Sequence, residues 1–337
     1  MINPKDLKNG DFVEGQLAVR SKDGPGEGLR EYSNKKGKFF VMTLGNSLGD
    51  ITLKYWGGGN SDNASQLYSA ISVGDAVNIK GKVIDDSYSK SLVISVNEET
   101  KYGNPEELLE KAGEGDYRAE EFLPSLSKEE IGKCSKKLDG FVKAVKNPHL
   151  KALLDGFFCE GEFRKIFEMA PAAKKHHHNY VGGLLEHSVN VAGLCTTICD
   201  YYALDRDLLI AGALLHDIGK TEEYDVKTSI DISEKGRFVG HLMLSTEIVL
   251  EKISSIPDFP ENLKNKIIHM ILSHHGELEY GSPKEPAFPE AMALFHADYM
   301  DAFVKNTLQE LEGIEESEEW MYSRSMKRFL HKPSNSQ

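Results

Sequence analysis

"AGALLHDIGKTEEY" (residues 211–224) runs from an apolar, helix-like segment straight into His216 and Asp217, and Lys220 follows three residues later. Leu209, Gly212 and His216 share one helical stripe, so the pattern turns the polar dipeptide toward a core. Burying a polar ring and a carboxylate without partners costs several kcal/mol. The stretch therefore predicts a wall of a helical bundle whose buried polar end has a partner elsewhere in the chain.

Four further segments put histidine or aspartate on an otherwise apolar helical stripe. They are His187 in "GGLLEHSVNVAGLCTTI", His241 in "GHLMLSTEIVL", His274 and His275 in "IIHMILSHHGE", and Asp298 in "EAMALFHADYMDAF". A single histidine of this kind is more often a hydrogen-bonded core residue than a ligand. Five converging segments favour a metal centre, which satisfies all of the buried groups together. Imidazole and carboxylate ligands suit Mn, Fe, Zn, Ni or Co rather than calcium, and the absence of cysteine argues against a structural zinc site.

The first hundred residues read as β-strands. Five β-rich runs separated by Gly, Asp and Asn are "DFVEGQLAVRSK", "KFFVMTLGN", "DITLKYWG", "GDAVNIKGKVID" and "KSLVISVNEE". A polar or helical insert, "NSDNASQLYSAI", lies between the third and fourth runs. Five short strands of this length predict a small barrel of the OB-fold type.

Such a barrel binds single-stranded nucleic acid through stacked aromatic side chains and basic residues. The candidates for these contacts are Phe39, Phe40, Tyr55, Trp56, Lys36 and Lys38. The alternative is that alternate aromatic residues face the barrel core and that the lysines are simply solvated.

The fold class is therefore predicted as a multidomain β + α protein, with an N-terminal OB-fold β-barrel followed by an all-α helical bundle. The expected divisions are a barrel over 1–101, a helical connector over 102–148, the metal-binding bundle over 149–330 and a loose tail over 331–337. Within the connector, "NPEELLEKAG" is expected to be helical, and Ser127 is expected to cap the helix that follows it.

Composition and charge limit the function classes. The net charge of −13 disfavours indiscriminate binding to nucleic acid, although residues 1–100 hold 12 basic and 13 acidic residues and leave 28 and 40 to the rest. The four cysteines form no metal knuckle or disulfide framework. The sequence has neither a long apolar run nor an apolar leader at its start, so a cytoplasmic protein with no membrane partner is expected. The oligomeric state stays open.

The order of motifs, H…HD…H…HH…D, resembles the HD-domain superfamily of metal-dependent phosphohydrolases. Five runs look more closely like the YhaM-type 3′–5′ exoribonucleases, which join an OB-fold to an HD domain. They are "AAKKHHHNYVGGLLEHSVNVA", "LLIAGALLHDIGK", "GRFVGHLMLS", "LSHHGELEYGSPKEP" and "EAMALFHADYMDA". The resemblance extends over roughly residues 10–310 and includes the order of the two domains.

The resemblance implies a role for each matching residue. The basic metal ligands would be His187, His216, Asp217 and Asp298, and the ligands of a second metal would be His241, His274 and His275. Asp217 would bridge the two ions and act in catalysis, and the pattern favours Asp298 over the nearby Asp301. Lys220 would be catalytic and hold a phosphate oxygen, although a surface lysine at a helix C-terminus is the alternative. His177 and His178 would contact substrate, with an ordinary surface loop as the alternative.

The implied activity is 3′–5′ hydrolysis of phosphodiester bonds in single-stranded RNA, and also in DNA, by metal-activated water. The implied cofactors are two divalent metal ions; Mn²⁺ is favoured, and Fe, Ni, Co, Zn and Mg are alternatives. An HD phosphohydrolase acting on small nucleotides or cyclic dinucleotides would use the same ligands, but "HHGELEYGSP" lacks the GYP signature of cyclic-dinucleotide hydrolases. A non-enzymatic OB-fold nucleic-acid-binding protein is the third alternative.

Overall fold

The computed structural model describes residues 1–22, 28–31, 33, 37–57, 61–97, 108–113, 115–118, 121–174, 178–312 and 319–332. The chain divides into two compact units. Unit 1 comprises Met1–Pro124 and Val226–Ser229, and unit 2 comprises Ser125–Asp225 and Ile230–Gln337. The first is a β-barrel and the second is helical, which confirms the predicted fold class at this level.

Unit 1 is built on five strands that close into an OB-like barrel. They are β1 (Phe12–Ser21), β3 (Lys38–Asn46), β4 (Gly49–Trp56), β5 (Ala76–Asp86) and β6 (Ser91–Asn97). The strand order is β1-β3-β4-β6-β5, and pairing of β1 with β5 closes the barrel. A short strand, β2 (Leu29–Glu31), pairs with β3 outside this ring.

Alternation along the strands separates the barrel core from its outer face. On β4, Ile51, Leu53 and Tyr55 are buried, whereas Lys54 and Trp56 between and after them are only half-buried. Helix α1 (Ser61–Ala70) joins β4 to β5, at the position of the predicted insert. The period of two on each strand thus fills one core and leaves a second face for contacts.

The described part of "NPEELLEKAG" is a strand, which corrects the predicted helix. Strand β7 (Leu108–Lys111) pairs antiparallel with residues 77–80 of β5. Leu109 is buried against the barrel, while Glu110 and Lys111 are exposed. Good helix formers occupy this segment, but an unpaired edge of β5 supplies backbone hydrogen-bond partners that outweigh a weak helical propensity.

Unit 2 is a helical bundle. Its helices are α2 (Lys128–Ala144), α3 (Pro148–Phe158), α4 (Glu162–Met169), α5 (Gly183–Ile198), α6 (Arg206–Leu215), α7 (Lys220–Glu223), α8 (Glu234–Val239), α9 (His241–Ser254), α10 (Glu261–Ser273) and α11 (Pro289–Glu312). Ser127 caps α2 through a reciprocal capping box with Glu130, as predicted. Helix α6 is buried from Leu208 to Leu215, so it is the central wall of the bundle.

Two small hairpins interrupt the helices, so the bundle is not strictly all-α. They pair β8 (Tyr224–Val226) with β9 (Ile230–Ile232), and β10 (Trp320–Ser323) with β11 (Arg328–His331). His331, expected in the loose tail, pairs with Trp320 instead, and residues 333–337 lie outside the described part of the chain. Within the described ranges, no helix combines the length and apolarity needed to cross a bilayer.

Candidate metal centre

Five helices bring the predicted ligands to one buried point in unit 2. His187 lies within α5, His216 and Asp217 directly follow α6, and His241 begins α9. His274 and His275 directly follow α10, and Asp298 lies within α11. The side chains of His187, His216, Asp217 and His274 are almost completely buried.

The first group of ligand atoms surrounds one oxygen of Asp217. The Nε2 atom of His187 lies 3.2 Å from Nε2 of His216 and 3.1 Å from Oδ1 of Asp298. Asp217 Oδ2 lies 3.5 Å from the first of these nitrogens and 3.3 Å from the second. Four donor atoms, from α5, from α11 and from the end of α6, therefore face a common centre.

The second group surrounds the other oxygen of the same carboxylate. Asp217 Oδ1 lies 3.4 Å from Nε2 of His274 and 3.6 Å from Nε2 of His241. The Nε2 atom of His275 is 3.3 Å from that of His241. Asp217 is thus positioned between two sets of histidines, one at each oxygen.

Hydrogen bonds at Nδ1 fix the direction in which these rings present their lone pairs. His216 Nδ1 lies 2.8 Å from the carbonyl of Ala213, and His274 Nδ1 lies 2.7 Å from the carbonyl of Ile271. A carbonyl only accepts, so each Nδ1 carries a proton and each Nε2 faces the cluster. His241 is held in the same way by Glu223, at 3.1 Å.

This arrangement fits divalent metal ions. Asp217 Oδ1 is buried and, among the described residues, lacks a hydrogen-bond partner. The donor atoms of the trios His187–His216–Asp298 and His241–His274–His275 lie within 4.8 Å of one another. Ligands about 2.0–2.2 Å from a shared ion are separated by such distances, and a cation removes the repulsion between facing lone pairs.

The pKa shifts agree with a ligand role. Burial raises the pKa of Asp217, but Lys220 and the histidines outweigh it and hold the pKa well below its ordinary value. Burial and the neighbouring His274 and His241 lower the pKa of His275 to about 3, which keeps that ring neutral. Burial lowers the pKa of His187, yet hydrogen bonds to Asp217 and two other aspartates raise it well above normal, so a metal ion bound at this ring would have to displace a proton.

Asp301 and His178 lie behind His187 rather than in the cluster. Asp301 Oδ2 is 2.7 Å from Nδ1 of His187 and 2.9 Å from Nε2 of His178. His178 Nδ1 in turn lies 3.0 Å from Glu186, whose pKa is about 2 because hydrogen bonds from His178 and Tyr180 outweigh the effect of burial. His178 has no exposed surface, which corrects its expected contact with substrate, and His177 lies outside the described residues.

Sequence reasoning missed the carboxylates that orient the ligands. The motif pattern favoured Asp298 over Asp301 and gave no role to Glu223. Asp301 contacts Nδ1 of His187, and Glu223 contacts Nδ1 of His241. The available signal was spacing: Asp301 follows Asp298 by about one helical turn, so both reach the same histidine from α11. Carboxylates that hold the second nitrogen of a ligating histidine fix its tautomer and orientation.

Lys220 lies at the edge of the cluster. Its Nζ is 2.6 Å from Asp217 Oδ2, and the side chain is mostly buried. Lys220 also lines a cavity of about 250 Å³ that opens beside the cluster. The other residues of its wall are Asp217, His274, His275, Tyr280, Phe295, Asp298, Tyr299 and Ala302.

The four aromatic residues predicted to contact nucleic acid in unit 1 divide between the barrel core and its outer face. Phe40 and Tyr55 are buried and stack on each other at 4.7 Å, so they are core residues, which corrects their expected role. Phe39 and Trp56 stack at 5.2 Å on the outer face. There they line a groove of about 430 Å³ together with Arg30, Val41, Thr52, Lys54, Asp86, Ser87, Tyr88 and Ser89.

The two lysines predicted with these aromatic residues have different outcomes. Lys38 lies on β3, where its Nζ is 3.2 Å from Ser65 Oγ of α1, and it does not line the groove. Lys36 lies outside the described residues. Lys54, in the groove, forms a 2.7 Å ion pair with Asp86.

Comparison with known proteins gives the same assignment for both parts of the chain. Residues 184–302, which include all seven predicted ligands, match the HD domain family. The 3′–5′ exoribonuclease YhaM of Bacillus subtilis is 30% identical over 285 residues, covering 83% of each chain. The proteins of the same name from a Geobacillus species and from Shouchella clausii are 30% and 27% identical over 88% and 92% of this chain, and over 86% and 89% of their own.

These alignments extend well beyond the HD domain, and the fold joins an OB-like barrel to that domain in the order expected from the motifs. The chain belongs to the YhaM family of 3′–5′ exoribonucleases.

Proposed function

We propose that this protein is a metal-dependent 3′–5′ exoribonuclease that hydrolyses single-stranded RNA. The observation that carries the proposal is the Asp217 carboxylate, whose two oxygens each face a separate set of histidines. Membership in a family whose relatives are named exoribonucleases supports the substrate class. We further propose that single-stranded DNA is a second substrate, since ions held by these residues would contact the phosphate and would not read the 2′-hydroxyl.

Seven residues would hold two divalent ions: His187, His216, Asp217, His241, His274, His275 and Asp298. Two such ions activate water and neutralise phosphoryl charge in an in-line displacement. We propose Mn²⁺ as the ion; the set of imidazoles and carboxylates is compatible with it and equally with Fe, Co, Ni and Zn, whereas the number of nitrogens disfavours Mg²⁺.

The chain's own residues have three tasks in this reaction. Asp217 would fix the spacing of the two ligand groups, because each of its two oxygens faces one group. Asp301 and Glu223 hold His187 and His241 with Nε2 facing inward. Lys220 lies beside Asp217 on the cavity wall, where its ammonium group would hold a non-bridging phosphate oxygen as negative charge develops.

The outer groove of the barrel is proposed as a contact for the single strand. Phe39 and Trp56 give a stacked pair of half-buried rings, and Tyr88, which is 80% exposed, lies on the same groove. Stacking on aromatic side chains tolerates any base, which suits a nuclease that degrades RNA without sequence preference.

The test is product analysis on single-stranded RNA with Mn²⁺. A 5′-labelled oligoribonucleotide should shorten progressively, and a 3′-labelled one should release labelled mononucleotide from the start. Asp217→Asn should abolish both reactions. Absence of release with any divalent metal would contradict the proposal, and turnover of cyclic dinucleotides in preference to oligomers would favour the small-nucleotide alternative.

A further inference from the structure

The cavity beside the cluster has one polar wall and one aromatic wall. The polar wall holds the proposed ligands with Lys220, and the aromatic wall holds Tyr280, Phe295 and Tyr299. Binding of a phosphate alone requires only the polar wall. The combination matches a nucleotide, which joins a phosphate to a flat, stackable base.

Helix α11 places two of these rings next to a proposed ligand. Phe295, Asp298, Tyr299 and Ala302 recur at intervals of three and four residues, so they share one face of the helix. The Tyr299 ring stacks on Phe303 at 5.5 Å with an interplanar angle of 22°. That stacking holds the ring in a defined orientation, yet 47% of Tyr299 stays exposed.

The loop after His275 closes around the third ring of the wall. Gly276 has φ of +80°, and a Cβ atom at this position would lie 2.3 Å from the Phe295 ring. The backbone therefore packs directly on Phe295, and the chain continues into the short 3₁₀ helix Leu278–Tyr280. Tyr280 is carried in this way to the cavity wall, where 59% of it is exposed.

We propose that Tyr280 and Tyr299 bind the 3′-terminal nucleobase of the substrate while its phosphate lies at the metal ligands and Lys220. Phe295 packs against Tyr299 and Gly276 and so supports the aromatic wall. Two exposed tyrosines contribute little to the core of the bundle, whereas stacking on a base uses their free faces. The inference rests on the proposed exoribonuclease function and adds that the enzyme recognises the presence of a terminal base rather than its identity.

The first test compares two oligoribonucleotides that differ only in whether the 3′-terminal ribose carries adenine or no base. The wild-type protein should cleave the base-free end with a kcat/KM about tenfold or more lower. In Tyr280→Ala and Tyr299→Ala the ratio between the two substrates should approach one, and Tyr→Phe at either position should restore it. Tyr201→Ala, at an 80% exposed tyrosine outside the cavity, is the matched control and should behave as wild type.

A second measurement does not depend on turnover. The metal-loaded protein should quench the fluorescence of 2-aminopurine riboside 5′-monophosphate, and both alanine variants should weaken this binding by about tenfold while leaving ribose 5-phosphate binding unchanged. Equal cleavage of both oligomers by wild type, or quenching that survives in the alanine variants, overturns the inference. Failure of wild type to cleave either oligomer contradicts the exoribonuclease proposal instead, and the nucleotide titration then decides the base site by itself.

Discussion

Asp298 and Asp301, one helical turn apart on α11, contact different nitrogen atoms of His187. Asp298 meets the Nε2 side of His187, within the cluster, and Asp301 meets Nδ1 from behind. The sequence placed both carboxylates on nearly the same face, but spacing does not reveal which nitrogen of a ring each one reaches. That distinction depends on side-chain direction and on the tertiary position of α5.

The two aspartates should differ when each is replaced by asparagine. Asp298→Asn removes a proposed ligand and should abolish activity and reduce bound metal. Asp301→Asn keeps every proposed ligand and weakens the contacts that orient His187 and His178, so metal affinity or activity should fall by about 10–100-fold. Metal content by elemental analysis and kcat on RNA check both variants; equal losses in the two would contradict the assignment.

His178 is the residue at which sequence reasoning misjudged the site. The family resemblance predicted that His178 contacts substrate, whereas His178 has no exposed surface and connects Asp301 to Glu186. Polar residues in a loop are normally expected at the surface. Only the fold reveals that His178, which has φ of +54°, lies inside the bundle.

At the scale of elements, the approach of α7 to α9 depends on a glycine. A Cβ atom on Gly219 would lie 2.4 Å from the carbonyl oxygen of His241 and 2.4 Å from the backbone nitrogen of Ser245. The Gly219 N–H also donates to Ser245 Oγ at 2.8 Å. The first turn of α9, which carries His241, is thus packed directly on the segment after Asp217.

Gly219→Ala should therefore push the start of α9 outward and weaken the second ligand group. We expect the metal content to fall from two ions toward one per chain, measured by elemental analysis and calorimetric titration. Gly132→Ala is the matched control, since a Cβ atom there meets nothing within 4 Å on α2 and alanine favours the helix by about 1 kcal/mol. Two ions retained in Gly219→Ala would argue against this packing constraint.

The elements themselves were predictable where period and capping agreed. The barrel strands, α2 with its Ser127 cap and the wall formed by α6 all follow local pattern. Strand β7 and the two hairpins did not, because short strands take their identity from the backbone they pair with. Phe40 and Tyr55 illustrate the same limit, since register decides which of two adjacent aromatic residues enters a barrel core.

At the scale of the whole molecule, we expect the proposed ligand cluster to link folding to metal binding. Imidazole and carboxylate groups are buried together at the junction of five helices. Without a cation, their lone pairs repel one another or lack a partner. Ions present at about 100 times their dissociation constant stabilise the native state by about 2.7 kcal/mol. Ions bound at this cluster would therefore contribute part of the bundle's stability.

Chelation should lower the unfolding temperature of unit 2 by about 5–10 °C, given about 2–4 °C per kcal/mol for a unit of this size. Differential scanning calorimetry with and without EDTA measures the shift, and returning Mn²⁺ should reverse it. Asp217→Asn lacks the carboxylate that lies between the two ligand groups, so it should bind little metal. Its unfolding temperature should therefore change little on chelation. An unchanged wild-type transition would argue against metal-linked folding.

The face of α11 that carries Phe295, Asp298 and Tyr299 has a geometric consequence. A proposed metal ligand and a proposed base platform are adjacent residues of one rigid helix, and neither can move without the other. The helix would therefore fix the distance between the position of the scissile phosphate and the position of the terminal base. A strand bound at both side chains would therefore return to the same position on the helix after each cleavage.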